Sequence, residues 1–125
     1  MAYNILIVDD SETVRAVVAK AIEMSGVDVK ALRTAANGQE ALDILGKEWV
    51  DLVFADINMP VMGGVEMVKR MKADADTKDI PVVIVSTEGS ATRIKGLMDS
   101  GVRAFLRKPF TPESLKSTID EIMGK

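Results

Sequence analysis

Polar residues that could do chemistry stand just behind short apolar runs. Asp9 and Asp10 follow Ile5 to Val8, Asp56 follows Leu52 to Ala55, Ser86 follows Val82 to Val85, and Lys108 lies shortly past Ala104 to Leu106. The chain has no histidine and no cysteine, which removes imidazole ligands, Ser/His/Asp arrangements, thiolate chemistry and disulfides. Carboxylate, hydroxyl and lysine chemistry remain. If the three aspartates meet, each pair at about 5 Å repels by roughly 3 kcal/mol at an effective dielectric of about 20. A hard divalent cation relieves this: Mg2+ takes oxygen ligands and typically uses one or two carboxylates together with phosphate oxygens, while Lys108 adds a point charge. Such a set reads as a phosphoryl-transfer site. Asp56 is the candidate acceptor, because an aspartate nucleophile yields an acyl phosphate and Asp56 faces the Asp9-Asp10 pair at the centre of the sheet edge. Metal and lysine would neutralise charge on the transferring group, and the Ser86 hydroxyl would donate to one of its oxygens.

Singly, each residue has an ordinary structural reading. Asp-Asp-Ser before a helix is a common N-cap. Asp56 with Asn58 and Pro60 would make a turn, and Ser86 a strand-end hydroxyl. Phe105 divides evenly between core aromatic and functional residue, and the eight methionines read as core fillers. Joint placement at successive strand ends is what a structural reading fails to explain.

The elements that must position these groups are legible. The four apolar runs, rich in Val and Ile, suit strands covered on both faces, as in a parallel sheet. A more polar run at Lys30 to Thr34 suits an edge strand. Val14, Val17, Val18, Ala21 and Ile22 follow helical spacing up to a glycine cap at Gly26. Asn37 and Glu40 approach a capping box ahead of Ala41, Leu42 and Leu45. Val65, Val68 and Met71 mark a third helix, Ile94, Leu97 and Met98 a fourth ending near Gly101, and Leu115, Ile119, Ile122 and Met123 a fifth, opened by Thr111-Pro112. Strict alternation predicts a doubly wound (βα)5, flavodoxin-like α/β fold, a parallel five-stranded sheet of order 2-1-3-4-5, whose ligands bind at the carboxyl edge of the strands.

At 125 residues the chain suits a single domain spanning 1–125, and 47% hydrophobic with 28% charged residues is an ordinary globular balance. Net charge is -3, with basic residues scattered among acids, so no nucleic-acid footprint is present. The opening apolar run is too short for a signal peptide or a membrane span. The expectation is a cytoplasmic monomer with no membrane partner and no attached output domain.

Five segments together, Ile5 to Ser11, Ala36 to Leu42, Asp51 to Pro60, Pro81 to Thr87 and Lys108 to Phe110, make the sequence resemble the response-regulator receiver family, and within it the stand-alone regulators of chemotaxis. The resemblance covers essentially the whole chain. It implies a signalling switch rather than an enzyme: phosphorylation of Asp56 by a histidine kinase, and Mg2+ held by Asp10, Asp56 and the backbone carbonyl of Asn58, with Asp9 assisting through water. It also implies a conserved hydroxyl at Ser86, an aromatic switch at Phe105, a phosphate-contacting lysine at Lys108 and a cis Lys108-Pro109 peptide. Asn58 and Glu88 match residue types that accompany fast dephosphorylation. Phosphorylation would remodel the face of the fourth helix, fifth strand and fifth helix, where a downstream protein target binds. One departure is Gly63, where the family more often has a side-chain cap for the third helix. Ser86 and Phe105 replace the commoner Thr and Tyr.

Rivals are a phosphorelay intermediate with the same site and an aspartate-nucleophile phosphatase. The latter tends to carry Asp-x-Asp after the first strand and a cap domain, neither of which is found. Nucleotide binding lacks both the G-x-G-x-x-G turn and the G-K-[ST] loop.

Overall fold

The computed structural model describes residues 2–87 and 90–124. In chain order the elements are β1 (Tyr3–Val8), α1 (Glu12–Ser25), β2 (Val29–Ala35), α2 (Gly38–Leu45), β3 (Leu52–Ala55), α3 (Gly64–Ala73), β4 (Val82–Ser86), α4 (Ala91–Asp99), β5 (Ala104–Arg107) and α5 (Pro112–Met123). The strands pair in parallel in the order β2-β1-β3-β4-β5, as the alternating pattern predicts.

Two cores flank the sheet, and the period-2 alternation of strand side chains divides residues between them. Leu6, Val8, Val53, Ala55, Val82 and Ile84 face one side, where Ala41 of α2, Met67, Val68 and Met71 of α3, and Leu97 of α4 cover them. Ile5, Ile7, Leu52, Phe54, Val83 and Val85 face the other, under Val18, Ala21 and Ile22 of α1 and Leu115 and Ile119 of α5. This double burial is why β1, β3 and β4 read as unbroken apolar runs. β2, an edge strand, instead alternates between half-buried and exposed positions until Ala35.

Local signals set the helix boundaries. Ser11 caps α1 by accepting from the Val14 amide at 3.2 Å, and Gly26 ends it at φ 82°, a conformation that costs glycine little. Asn37 accepts from the Glu40 amide at 2.9 Å; the returning Glu40 carboxylate takes the Ala36 amide at 3.1 Å, one residue before the position a standard capping box would use. Thr111 and Ser114 form a reciprocal box ahead of α5. Gly63 gives α3 no side-chain cap, as expected. Two residues depart from their expected places: Val17 is 56% exposed and Met98 on α4 is 42% exposed. The buried stripe of α1 runs through Val18, Ala21 and Ile22, and Val17 lies off its edge. No helix among the described residues is long and apolar enough to cross a membrane.

Candidate functional site

In a parallel sheet all carboxyl ends lie on one edge, and here the ladder continues past the strands. Val8 is level with Ala35 on one side and Ala55 on the other. The Asp9 amide then donates to Ala35 O at 3.0 Å, and the Asp56 amide to Val8 O at 3.1 Å. Across the sheet, the Lys108 amide donates to Ser86 O at 3.0 Å, tying the end of β5 to the end of β4. These bonds bring residues from four strand ends to one edge.

Asp9 is buried, Asp56 half-buried and Asp10 exposed, and each offers a carboxylate oxygen within 4.8 Å of the others. Lys108 Nζ lies 3.5 Å from Asp9 Oδ2 and 3.8 Å from Asp56 Oδ2, within a largely buried group. Burial raises the Asp9 carboxyl above its ordinary pKa, and the charge of Asp56 adds to this; the Ser11 amide on Oδ1 at 2.9 Å and the Lys108 ammonium pull the other way. Three carboxylates against one ammonium leave the cluster short of positive charge. An all-oxygen donor set so spaced fits a hard divalent cation such as Mg2+. A cavity of about 10 Å3 lies against Asp9 and Asp56, lined otherwise by core residues of β1, β3 and β4 and by Val18 of α1.

The loop after β3 is held from several directions. The Ile57 amide donates to Asp56 Oδ1 at 2.7 Å, and the Gly64 amide to Ile57 O at 2.8 Å. A Cβ at Gly64 would come 2.3 Å from Asp56 O, a distance no side chain permits, so the first turn of α3 packs directly on the backbone of the candidate acceptor. Between them Val61 adopts φ 67°, and the Met62 amide donates to Pro60 O at 2.7 Å, closing a γ-turn around Val61. Met62 is buried, and its carbonyl accepts from the Gly38 amide at 2.8 Å.

Asp9, Asp10, Asp56 and Lys108 are thus brought together. Ser86 is buried at the end of β4, on the same edge. Asn58 is exposed two residues past Asp56. Phe105 on β5 is half-buried, level with Ile84 and packed against the core beneath α2, α3 and α4. The Lys108-Pro109 peptide is cis. Glu88 lies outside the described residues. Sequence reasoning missed Arg15, whose Nη1 donates to Asp9 O at 2.7 Å and braces the loop after β1. It also missed the packing role of Gly64, for which the Gly63-Gly64 pair was the available signal, and the Val61 turn, for which no signal existed.

Three comparisons bear on this arrangement. A family model described as "Response regulator receiver domain" matches residues 5–120. A chemotaxis protein CheY homolog of Campylobacter jejuni is 36% identical over 97% of this chain and 92% of its own length. A two-component response regulator of rice (Oryza sativa) is also 36% identical, over 98% of this chain and 90% of its own. Among solved structures, the chemotaxis response regulator CheY4 of Vibrio cholerae superposes with a TM-score of 0.85 at 34% identity, covering 98% of this chain and 99% of that one.

Proposed function

Because this chain belongs to the response regulator receiver family, we propose that it is a CheY-like phosphorylation switch of two-component signalling. In this reading Asp56 takes a phosphoryl group from a phosphohistidine on a partner kinase. The observation that carries it is the convergence of Asp9, Asp10 and Asp56 within 4.8 Å, with Lys108 Nζ 3.8 Å from Asp56 Oδ2.

In the transfer, a carboxylate oxygen of Asp56 attacks phosphorus as the P–N bond to the donor histidine breaks; the electron pair leaves with the imidazole, which takes up a proton. Lys108 meets charge on the transferring oxygens, and the Ser86 hydroxyl donates to one of them once it has arrived. Arg15 and the Ser11 amide hold Asp9 in place. Asp10, Asp56 and the Asn58 carbonyl would hold Mg2+, with Asp9 behind them, and the ion would supply charge neutralisation during transfer. Asn58 and Glu88 set the rate of autodephosphorylation, a modest activity of the same site.

The switch works by differential binding. Phosphate draws Ser86 inward, β4 and α4 follow, and Phe105 turns into the space released. A downstream protein that prefers the altered face of α4, β5 and α5 then shifts the population by its difference in affinity for the two states. We assign the role to chemotaxis in the cytoplasm, in a monomer, on the likeness to the C. jejuni and V. cholerae regulators. A phosphorelay carrier is the second reading, and the rice relative, equally identical and described without chemotaxis, is what supports it.

The test is intact-protein mass after incubation with acetyl phosphate and Mg2+. A gain of one labile phosphoryl group in the wild type, lost with chelator and in Asp56→Asn, is expected. An equal gain in Asp56→Asn, or none in a wild type that still binds Mg2+, removes Asp56 as acceptor.

A further inference from the structure

On the side of the sheet covered by three helices, the backbones of α2 and α3 lie against each other, whereas those of α3 and α4 scarcely approach. At the start of α2 the chain also touches the loop that leads into α3. Gly38, the first residue of α2, is buried, and its amide donates to Met62 O at 2.8 Å. The first amides of an α-helix have no partner within the helix. In α2 the Glu40 amide goes to the Asn37 side chain and the Ala41 amide to Asn37 O, whereas the Gly38 amide bonds to another element.

This contact admits no side chain on α2. A Cβ built at Gly38 would lie 2.8 Å from Met62 Cγ and 2.9 Å from Met62 O, and the second of these is backbone that cannot swing aside. Gly46, at the other end of the same helix, has room: a Cβ there meets carbonyl oxygens at 3.6 Å, ordinary van der Waals contact. Neither glycine has a left-handed φ, and helix propensity favours alanine over glycine. Close approach to Met62 is therefore the physical reason for glycine at position 38.

Met62 sits in the loop from Asp56 to Gly64, which carries the candidate acceptor and Asn58 and is closed on itself by the Gly64 amide on Ile57 O at 2.8 Å. At the other end of the connection between β2 and α2, Ala35 O accepts from the Asp9 amide at 3.0 Å. Ala35 and Gly38 are both buried. The short connection from Ala35 to Gly38 thus grips both aspartate-bearing loops, the Asp9-Asp10 loop through Ala35 and the Asp56 loop through Gly38. We infer that Gly38 is a positioning residue of the Mg2+ site: it fixes the loop bearing Asp56 and Asn58 against the loop bearing Asp9 and Asp10, and so sets the affinity of the cluster for the ion. Groups outside a ligand set that orient it commonly change metal affinity about 10- to 100-fold. The inference rests on the metal site of the function proposed above and on no step of phosphoryl transfer.

Mg2+ titration followed by the NMR amide shifts of Asp9, Asp10 and Asp56 tests this on the full chain, with no phosphodonor present. Gly38→Ala is expected to bind Mg2+ about tenfold more weakly than wild type. Gly46→Ala, which adds a methyl group to the same helix, and Ile119→Val, which loosens the core beneath α5 on the far side of the sheet, should each stay within about twofold. The second of these controls for a general loss of stability. Wild type supplies a further readout: saturating Mg2+ should slow hydrogen exchange of the Gly38 amide about tenfold by linkage, and leave that of the Gly46 amide, bonded within α2 to Leu42 O, unchanged. Equal binding by folded Gly38→Ala, an equal loss in Ile119→Val, or Gly38 exchange that ignores Mg2+ overturns the inference; where Gly38→Ala does not fold, the exchange measurement decides. Wild-type amides that do not respond to Mg2+ remove the metal site and the inference with it, whereas wild-type binding with an insensitive Gly38 removes the inference and leaves the metal site standing.

Discussion

At the scale of single residues, the site is a set of charges held closer than water would allow. Asp9 bears most of that burden, since burial raises its carboxyl while Lys108 and the Ser11 amide only partly compensate. Asp9→Asn keeps the shape and an oxygen for the Ser11 amide and removes the buried charge. In metal-free protein it should raise stability by about 0.5–2 kcal/mol in denaturant unfolding, with weaker Mg2+ binding in the same preparation. The gain should be greatest at neutral pH and shrink on acidification. The raised folded pKa means that protonation of Asp9 favours the folded state, so the wild type recovers the difference as pH falls through that pKa; a gain that grows in acid would contradict the assignment. The four charged residues were legible in the sequence because each follows an apolar run and parallel strands bring their ends to one edge. Arg15 was not, because its target is a backbone carbonyl, and nothing in residue type announces which carbonyl a guanidinium will find.

At the scale of elements, the loop from β3 to α3 carries the least expected feature. Val61 is 83% exposed and β-branched, yet sits at positive φ, where an L-residue costs roughly 1–2 kcal/mol. Burial of Met62 and the close seating of Gly64 on Asp56 O hold it there. Val61→Gly should therefore stabilise the protein by about 1 kcal/mol in thermal melts, against the usual trend for glycine in a loop, and leave acetyl-phosphate labelling unchanged. A destabilised Val61→Gly would mean that the turn is not strained. Gly64→Ala, by contrast, must displace either α3 or the backbone of Asp56, and is expected to cost more than about 2 kcal/mol together with slower acetyl-phosphate labelling. Strands β1, β3 and β4 were legible because burial on both faces demands unbroken apolar runs. The misplacement of Val17 has the converse cause: helical spacing marks a face about a third of the circumference wide, and the packing of α1 on the sheet uses a narrower stripe.

At the scale of the whole molecule, the sheet order was legible from alternation and length, since right-handed crossovers over five strands leave few arrangements. What sequence could not give was the unequal spacing of helices on the sheet, which depends on how side chains of three elements share one surface. An acidic cluster at the meeting point of the strands also ties global stability to its counter-charge. Mg2+ at about a hundredfold excess over its dissociation constant should add about 2.7 kcal/mol, seen as a rise in melting temperature that chelator reverses and Asp10→Asn diminishes; an unchanged melting temperature in wild type would argue against the cluster as a metal site. The ion pair between Asp9 and Lys108 joins residues 99 positions apart. During synthesis the ribosome releases all three aspartates long before the lysine that balances them. A nascent or truncated chain can therefore form its leading strands without assembling the complete charge cluster, which closes only once the residues after the last strand have emerged.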